Sequence, residues 1–284
     1  KIEYGNVLPA TAAQMRVYTS QFVAPDSAHY NVPIAFKVKN LEPEKLGKAV
    51  NGLIEKHESL RTRFETRNGE VTQIIEDNAK VKVEKLSSDD ISLFNTPFDL
   101  TKAPLIKVGY FENTVMLVLH HIIVDGESMG VLLRDLNELY MERDASETVQ
   151  YGEFAVTDGY TQKNEEYWTG IFSEEASPIE LKKDFTRPEK QSFNGSQIYE
   201  LIDIGLHNRI AEACKRLNIT SFVFYMACYN ILLSVFSGSE DIVVGTPING
   251  RGSRFLNSIG MFVNTVALRS KPNSSKKISE LLSE

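Results

Sequence analysis

The chain has 284 residues, enough for one large domain or two compact lobes. Its composition, 42% hydrophobic and 24% charged, is ordinary for a globular protein, and its net charge of −7 argues against nucleic-acid binding, which needs a basic face. The two cysteines, Cys214 and Cys228, lie in apolar helical patterns, so we expect no disulfides and a reducing, cytoplasmic location. The N-terminal residues show no secretion signal and the longest apolar run, 222–236, is too short to span a bilayer comfortably, so we expect no membrane partner.

Hydrophobic periodicity divides the first 172 residues into helices and hairpin strands. The Asn68-Gly69 pair and the 112–114 segment are turn signals between apolar runs, and Pro43 suits the first turn of a helix. The predicted helices cover 11–21, 129–140 and 165–172 and include one that opens at Pro43; the predicted strands cover 29–39, 61–65, 71–75, 104–111 and 115–119. This mixture predicts an α/β (α+β) lobe.

The segment 173–194 has many charges, two prolines and no sustained period, which is typical of a linker. Beyond it the pattern predicts strands over 197–203, 241–246 and 261–269, helices over 207–217 and 221–236, loops over 249–252 and 272–277, and a helix that starts at 278. We therefore predict an N-terminal lobe over 1–172, a linker over 173–194 and an incomplete C-terminal lobe over 195–284.

The apolar run 114–119 ends in His120 and His121, and Asp125 and Gly126 follow before a helix begins. This order delivers an imidazole to the end of a buried strand, and histidine is the side chain whose ordinary pKa best suits proton transfer near neutral pH. Adjacent strand residues point to opposite faces, so only one of the two rings can face a given cavity. Asp125 could orient that ring or pair with an arginine, and Gly126 would permit a backbone conformation that other residues resist.

Three other interpretations of this segment stay open. The histidines could be satisfied core residues. Together with Asp125 they could bind a metal, although their rings diverge and no other His or Cys is near in sequence, so we predict no metal site. The segment 126–130 also matches G-x-S-x-G, which would make Ser128 a nucleophile. The only later histidine is His207, on an ordinary helix, and Ser128 fits better as a helix N-cap.

The segment 120–126 resembles the HHxxxDG signature of the condensation domains of nonribosomal peptide synthetases, which belong to the chloramphenicol-acetyltransferase-like acyltransferases. Four further segments resemble family blocks in the right order: 13–18 is similar to the opening motif, 57–64 to RHExLRTxF, 151–156 to YxDFAxW and 259–265 to VGxFVNT. Lys56, Glu153 and Thr157 depart from these blocks. The blocks that follow VGxFVNT in the family are missing, so we expect a C-terminally truncated chain whose activity alone is in doubt.

The resemblance implies a chloramphenicol-acetyltransferase-like mixed-sheet lobe and a partial second lobe of the same type. It implies His121 as the catalytic residue, facing a channel between the lobes, with His120 beside it as motif support. Asp125 would be structural and would pair with Arg61, Gly126 would leave room beside the channel, and Asn264 is a candidate lining residue.

The implied reaction is amide formation between an acyl or peptidyl thioester and an aminoacyl acceptor. The 4′-phosphopantetheine arms of upstream and downstream carrier domains would present both reactants, an adenylation domain would be a neighbour, and no cofactor would be bound directly. His121 would act as a general base or would stabilise charge and position the amine. The alternatives are epimerisation, acyl transfer from free coenzyme A, and a catalytically silent recruitment domain.

Overall fold

The computed structural model describes residues 2–143, 147–157, 162–189 and 195–284. The chain divides into two compact units. The first unit comprises Lys1–Gly159 together with Ile248–Asn264, and the second comprises Tyr160–Pro247 together with Thr265–Glu284. The second stretch of the first unit, Ile248–Asn264, is called the 248–264 segment below. The predicted boundaries at residues 172 and 194 stay a prediction.

Seven strands of the first unit form two sheets. The strands are β1 (Val7–Pro9), β2 (Asn31–Lys37), β3 (Thr62–Arg67), β4 (Glu70–Ile75), β5 (Val83–Lys85), β6 (Ile106–Phe111) and β7 (Thr114–His120). One sheet has the order β1-β4-β3 and the other the order β2-β7-β6-β5. All neighbouring strands are antiparallel except β5 and β6, which are parallel.

Strand β7 lies between two neighbours and is buried along 115–120. A strand covered on both faces needs an unbroken apolar run, which is what this part of the sequence supplies. The register pairs His120 with Asn31 at the start of β2. The sheet therefore fixes where β7 ends and where the histidine pair emerges.

Five helices pack around these sheets: α1 (Ala12–Val23), α2 (Pro43–Lys56), α3 (Ile91–Phe94), α4 (Gly126–Tyr140) and α5 (Tyr151–Thr157). Helix α2 buries one face through residues at helical spacing, Leu46, Ala49, Val50, Leu53 and Ile54. Thr11 caps α1 in a reciprocal capping box with Gln14. The resulting core joins α1, α2 and α4 to the four-stranded sheet.

The second unit contains α6 (Gln162–Ile171), α7 (Ile204–Leu217), α8 (Ser221–Ser237), β8 (Ile242–Ile248), β9 (Asn264–Ser270) and α9 (Ile278–Leu281). Strands β8 and β9 form a two-stranded sheet. Arg269 on β9 binds both carboxylate oxygens of Asp241, at 2.9 and 2.5 Å, and donates to the carbonyl of Ile171 at 3.0 Å. None of the described helices alone is long and apolar enough to cross a bilayer, and the bent pair α7 and α8 meets that test only together.

The prediction of a mixed α/β fold is confirmed, and nearly every predicted helix and strand is present with ends shifted by a few residues. One prediction is wrong: 197–203 forms no strand, because its residues are exposed and find no partner strand in the described part of the chain, and Asp203 caps α7 instead. The described part of the predicted linker, 173–189, has neither helix nor strand, and 190–194 lie outside the described residues.

Two glycines should respond in opposite ways to alanine. Gly69, in the β3–β4 turn, has a φ of +84°, so Gly69→Ala should cost about 1 kcal/mol of unfolding free energy. Gly130, inside α4, is exposed, and a Cβ added there would meet no atom within 4 Å, so Gly130→Ala should add up to about 1 kcal/mol. Urea denaturation measures both, and a shift of the same sign in the two variants would contradict the assignment.

Candidate active site

The first histidine of the pair is sealed inside the protein. His120 ends β7 with no exposed surface, and Phe98 packs edge-on against its ring at a centroid distance of 6.0 Å. Its Nδ1 accepts the backbone N–H of Ile122 at 3.2 Å, so the proton of the neutral ring lies on Nε2, which is 3.4 Å from Gln21 Oε1. Burial lowers the pKa of His120 to about 3. This ring is therefore a neutral structural group.

The second histidine opens a 3₁₀ turn over His121–Ile123 and is only half-buried. Its backbone N–H donates to the carbonyl of Tyr30 at 2.7 Å, which anchors the turn to the residue before β2. Its Nδ1 is buried and has no hydrogen-bond partner among the described residues. The two adjacent imidazoles thus have different environments, and His121 is the one left with unused hydrogen-bonding capacity.

A buried ion pair fixes the end of this turn. Asp125 is the N-cap of α4, and its Oδ1 accepts the backbone N–H of Ser128 at 2.9 Å and Arg251 NH2 at 2.6 Å. Its Oδ2 accepts the backbone N–H of Phe262 at 3.0 Å. The side chains of Asp125 and Arg251 are 3% and 1% exposed. The predicted pairing of Asp125 with Arg61 is therefore wrong, and Arg251 of the 248–264 segment is the partner.

Arg251 also makes hydrogen bonds within its own segment. Its NH1 donates to the carbonyls of Phe255 at 3.1 Å and Ser258 at 2.5 Å, and its guanidinium lies 4.2 Å from the centroid of the Phe262 ring. A buried guanidinium needs several acceptors, which the carbonyls and the carboxylate supply. The sequence predicts a loop over 249–252, and its one signal for Arg251 is an arginine between two glycines shortly before the 259–265 block.

Arg61 is the last residue of a 3₁₀ turn over Glu58–Arg61, which connects α2 to β3. Its NH1 donates to the carbonyl of Glu76 at 3.0 Å and lies 3.7 Å from the exposed carboxylate of Asp77. Arg61 therefore joins the residue before β3 to the residue after β4, at the open end of this hairpin, and its side-chain partners among the described residues do not include Asp125.

Two expectations about the start of α4 need correction. Gly126 does not adopt a left-handed conformation, so the expectation of a backbone that other residues resist is wrong. A Cβ there would meet nothing within 4 Å, and the position of Gly126 beside a channel stays a prediction. Ser128 is the third residue of a capping box whose N-cap is Asp125. Its fully buried hydroxyl lies 2.7 Å from Asp125 and accepts Arg251 NH2 at 2.6 Å, which argues against a nucleophile.

Asn264 lies at the start of β9, where its side-chain oxygen accepts a hydrogen bond from Arg16 on α1. This contact ties the end of the 248–264 segment to the helix that carries the opening motif. Its role as a lining residue stays a prediction. No cluster of three His, Cys, Asp or Glu side chains suited to a metal ion occurs within the described ranges.

The mixed-sheet fold and the histidine turn agree with the domain type that the sequence resembles, and comparison with known proteins gives the family. The chain matches the Condensation domain family over residues 4–284. It is 37% identical to tyrocidine synthase 3 of Brevibacillus parabrevis, over 97% of this chain and 5% of that protein. It is 34% identical to bacitracin synthase 2 of Bacillus licheniformis, over all of this chain and 12% of that protein.

Solved structures show the same fold. A four-domain nonribosomal peptide synthetase bound to AMP and glycine superimposes with a TM-score of 0.85 at 23% identity, covering 99% of this chain and 23% of that one. The first condensation domain of the CDA synthetase gives 0.70 at 20% identity, covering 99% and 74%. The X-domain from teicoplanin biosynthesis gives 0.84 at 21% identity, covering 100% and 70%.

The chain belongs to the condensation domain family, whose members in nonribosomal peptide synthetases are amide-forming acyltransferases. The predicted family and the chloramphenicol-acetyltransferase-like fold are confirmed. The chain spans only about a twentieth to an eighth of the length of the two curated relatives named above.

Arg251→Ala should cost about 3–5 kcal/mol of unfolding free energy, because it leaves the Asp125 carboxylate buried without its counter-ion. Arg61→Ala should cost less, since Arg61 mainly binds a carbonyl and an exposed carboxylate. A double-mutant cycle measured by urea unfolding should show strong coupling of Arg251 with Asp125 and almost none of Arg61 with Asp125. The reverse pattern would restore the pairing expected from the family.

His120 should make the protein sensitive to mild acid. Its folded pKa of about 3 lies below its ordinary value of 6.5, so the unfolded chain binds the proton more readily and stability falls as pH drops from about 6.5 towards 3. Between pH 7 and pH 5 this ring should account for about 2 kcal/mol of lost unfolding free energy. His120→Asn should show that much less pH dependence in urea titrations. Parallel curves for the two proteins would contradict the assignment.

Proposed function

We propose that this domain joins a donor acyl or peptidyl thioester to the amine of an aminoacyl acceptor. Each reactant would be held on the 4′-phosphopantetheine arm of a carrier domain, one upstream and one downstream, with an adenylation domain as a further neighbour. The support is the family match over residues 4–284 and the relatives named for the synthesis of tyrocidine and bacitracin. The two free cysteines fit a cytoplasmic location.

The chemical step needs positioning and one proton transfer. The acceptor amine attacks the carbonyl carbon of the donor thioester and the new C–N bond forms. The C–S bond then breaks, and the thiolate of the donor's phosphopantetheine arm leaves. The proton lost by the amine is returned to the leaving thiolate, so atoms and charge balance. Bringing two tethered reactants together supplies much of the rate acceleration, since effective molarities in such arrangements are large.

The observation that carries this proposal is the division of labour within the HHxxxDG segment. His120 is neutral and sealed, and Asp125 is saturated by Arg251 and backbone donors. His121 is the only member of the three whose side chain is half-exposed. Because its Nδ1 faces the interior, we assign to Nε2 the task of accepting the amine proton or of stabilising the tetrahedral intermediate.

A recruitment domain without catalysis is the second candidate, since the X-domain from teicoplanin biosynthesis, which has the same fold, is solved in a complex with OxyB. The complete signature and the half-exposed His121 favour the catalytic assignment. The two candidates differ in one measurable respect, because only a catalytic domain loses amide formation when His121 is removed.

His121→Ala in the intact parent protein should lower amide formation between loaded carriers by roughly 10²- to 10⁴-fold. His207→Ala, which removes an exposed histidine from α7, is the matched control and should leave the rate unchanged. Product is measured by mass spectrometry of the carrier-bound thioester. Unimpaired turnover in His121→Ala would refute the catalytic role, and a silent wild-type protein with both carriers loaded would support recruitment.

A further inference from the structure

A second buried carboxylate lies on the helix that begins at the active-site turn. Asp135 of α4 is 1% exposed. Its Oδ2 accepts Lys56 Nζ at 2.5 Å and His57 Nε2 at 2.9 Å, and its Oδ1 accepts Arg134 Nε at 3.0 Å. Burial raises the pKa of Asp135, but these three donors together hold it well below its usual range, so the group stays ionised. None of these residues has a part in the chemistry proposed above.

The donors come from the end of α2. Lys56 is its last residue and His57 is its C-cap, and the His57 ring is 1% exposed. Burial lowers the pKa of His57 in spite of Asp135, so the ring is neutral near pH 7 and donates Nε2–H to the carboxylate. Asp135 thus ties the end of α2 to the middle of α4 through two adjacent residues.

Arg134 extends this cluster to the 248–264 segment. Its Nε binds Asp135 and its NH1 donates to Asn257 Oδ1 at 2.9 Å. The same segment meets the start of α4 through Arg251 and Asp125. Helix α4 is therefore held against the segment at two levels, which the rise per residue of an α-helix places roughly 15 Å apart.

Two polar contacts, one at Asp125 and one at Asp135, hold the orientation of α4 more firmly than one contact does. Val131, Leu132 and Leu136 pack α4 into the core, but apolar packing has no preferred direction and fixes the rotation of a helix less precisely than hydrogen bonds do. A small rotation of α4 about the Asp125–Arg251 contact would also move the 3₁₀ turn that carries His121, since Asp125 follows within four residues. The Asp135 cluster removes this freedom because it fixes α4 at a second level against both α2 and the segment.

We infer that Asp135 is a positioning residue for the condensation reaction. Held by Lys56, His57 and Arg134, it keeps α4 in the orientation at which Asp125 meets Arg251 and His121 meets the reactants. The expected effect on the rate of amide formation rests on the proposed function. The expected effect on the orientation of α4 rests on the structure alone. A small displacement of a catalytic group is enough to lower a rate by one or two orders of magnitude.

The test is Asp135→Asn in the intact parent protein, compared with Glu138→Gln on the same helix. Asparagine keeps the size of the side chain and removes its charge. Among the described residues, the Glu138 carboxylate has an ion pair only with Arg143, at 3.7 Å. Asp135→Asn should lower kcat for amide formation by about tenfold or more with KM changed by less than about twofold. It should also speed hydrogen exchange at the Phe262 amide, which Asp125 binds, by about tenfold or more. Glu138→Gln should do neither.

Lys56 supplies a second pair of variants should Asp135→Asn fail to fold. Lys56→Met removes one donor and should give the same two effects in smaller degree, and Lys56→Arg should restore both to wild-type values. A folded variant with a lower melting temperature but unchanged kcat and Phe262 exchange would overturn the inference, because it would show a stabilising role only. If the wild-type protein forms no amide, the proposed function fails, and the exchange measurements still decide whether Asp135 positions the site.

Discussion

The buried pair of Asp125 and Arg251 is the constraint on which the site depends. Removing two charges from water is costly, and this cost is offset by the hydrogen bonds that both carboxylate oxygens accept and by those that NH1 and NH2 of Arg251 donate. Its two oxygens accept bonds from a helix N-terminus, a guanidinium and the backbone of Phe262. The pair does more for geometry than for net stability, since it joins the end of the histidine turn to a segment more than a hundred residues later.

The two histidines show how environment assigns different roles to identical side chains. His120 has a ring packed by Phe98 and fixed in one tautomer by the backbone of Ile122. His121, one residue later, leaves the strand for a 3₁₀ turn and keeps a half-exposed ring. In the described turn His121 is half-exposed and the Ser128 hydroxyl is buried and hydrogen-bonded, which fits the proposed direct transfer better than a covalent enzyme intermediate.

Periodicity was sufficient to predict most helices and strands, because burial of one face leaves a regular mark on the sequence. The prediction failed over 197–203, where alternation occurs without a partner strand in the described structure. The family blocks led to His121 and Asp125, but not to the arginine that pairs with Asp125. The sequence allows either Arg61 or Arg251 as the ion-pair partner of Asp125. Only the three-dimensional path of the 248–264 segment shows that Arg251 is the partner. Likewise, nothing periodic in the sequence links His57 to Asp135, since such pairs depend on how two helices pack.

The assignment of the 248–264 segment to the first unit has a consequence for biosynthesis. A ribosome releases Asp125 long before Arg251, so the nascent first unit emerges with a carboxyl group whose arginine partner has not yet been made. Its sheets and the α2–α4 contact use only residues up to Tyr140, whereas the contacts that close the histidine turn need residues 251–262. The contacts of Asp125 with Arg251 and Phe262 are therefore among the last features of this unit to be completed during translation.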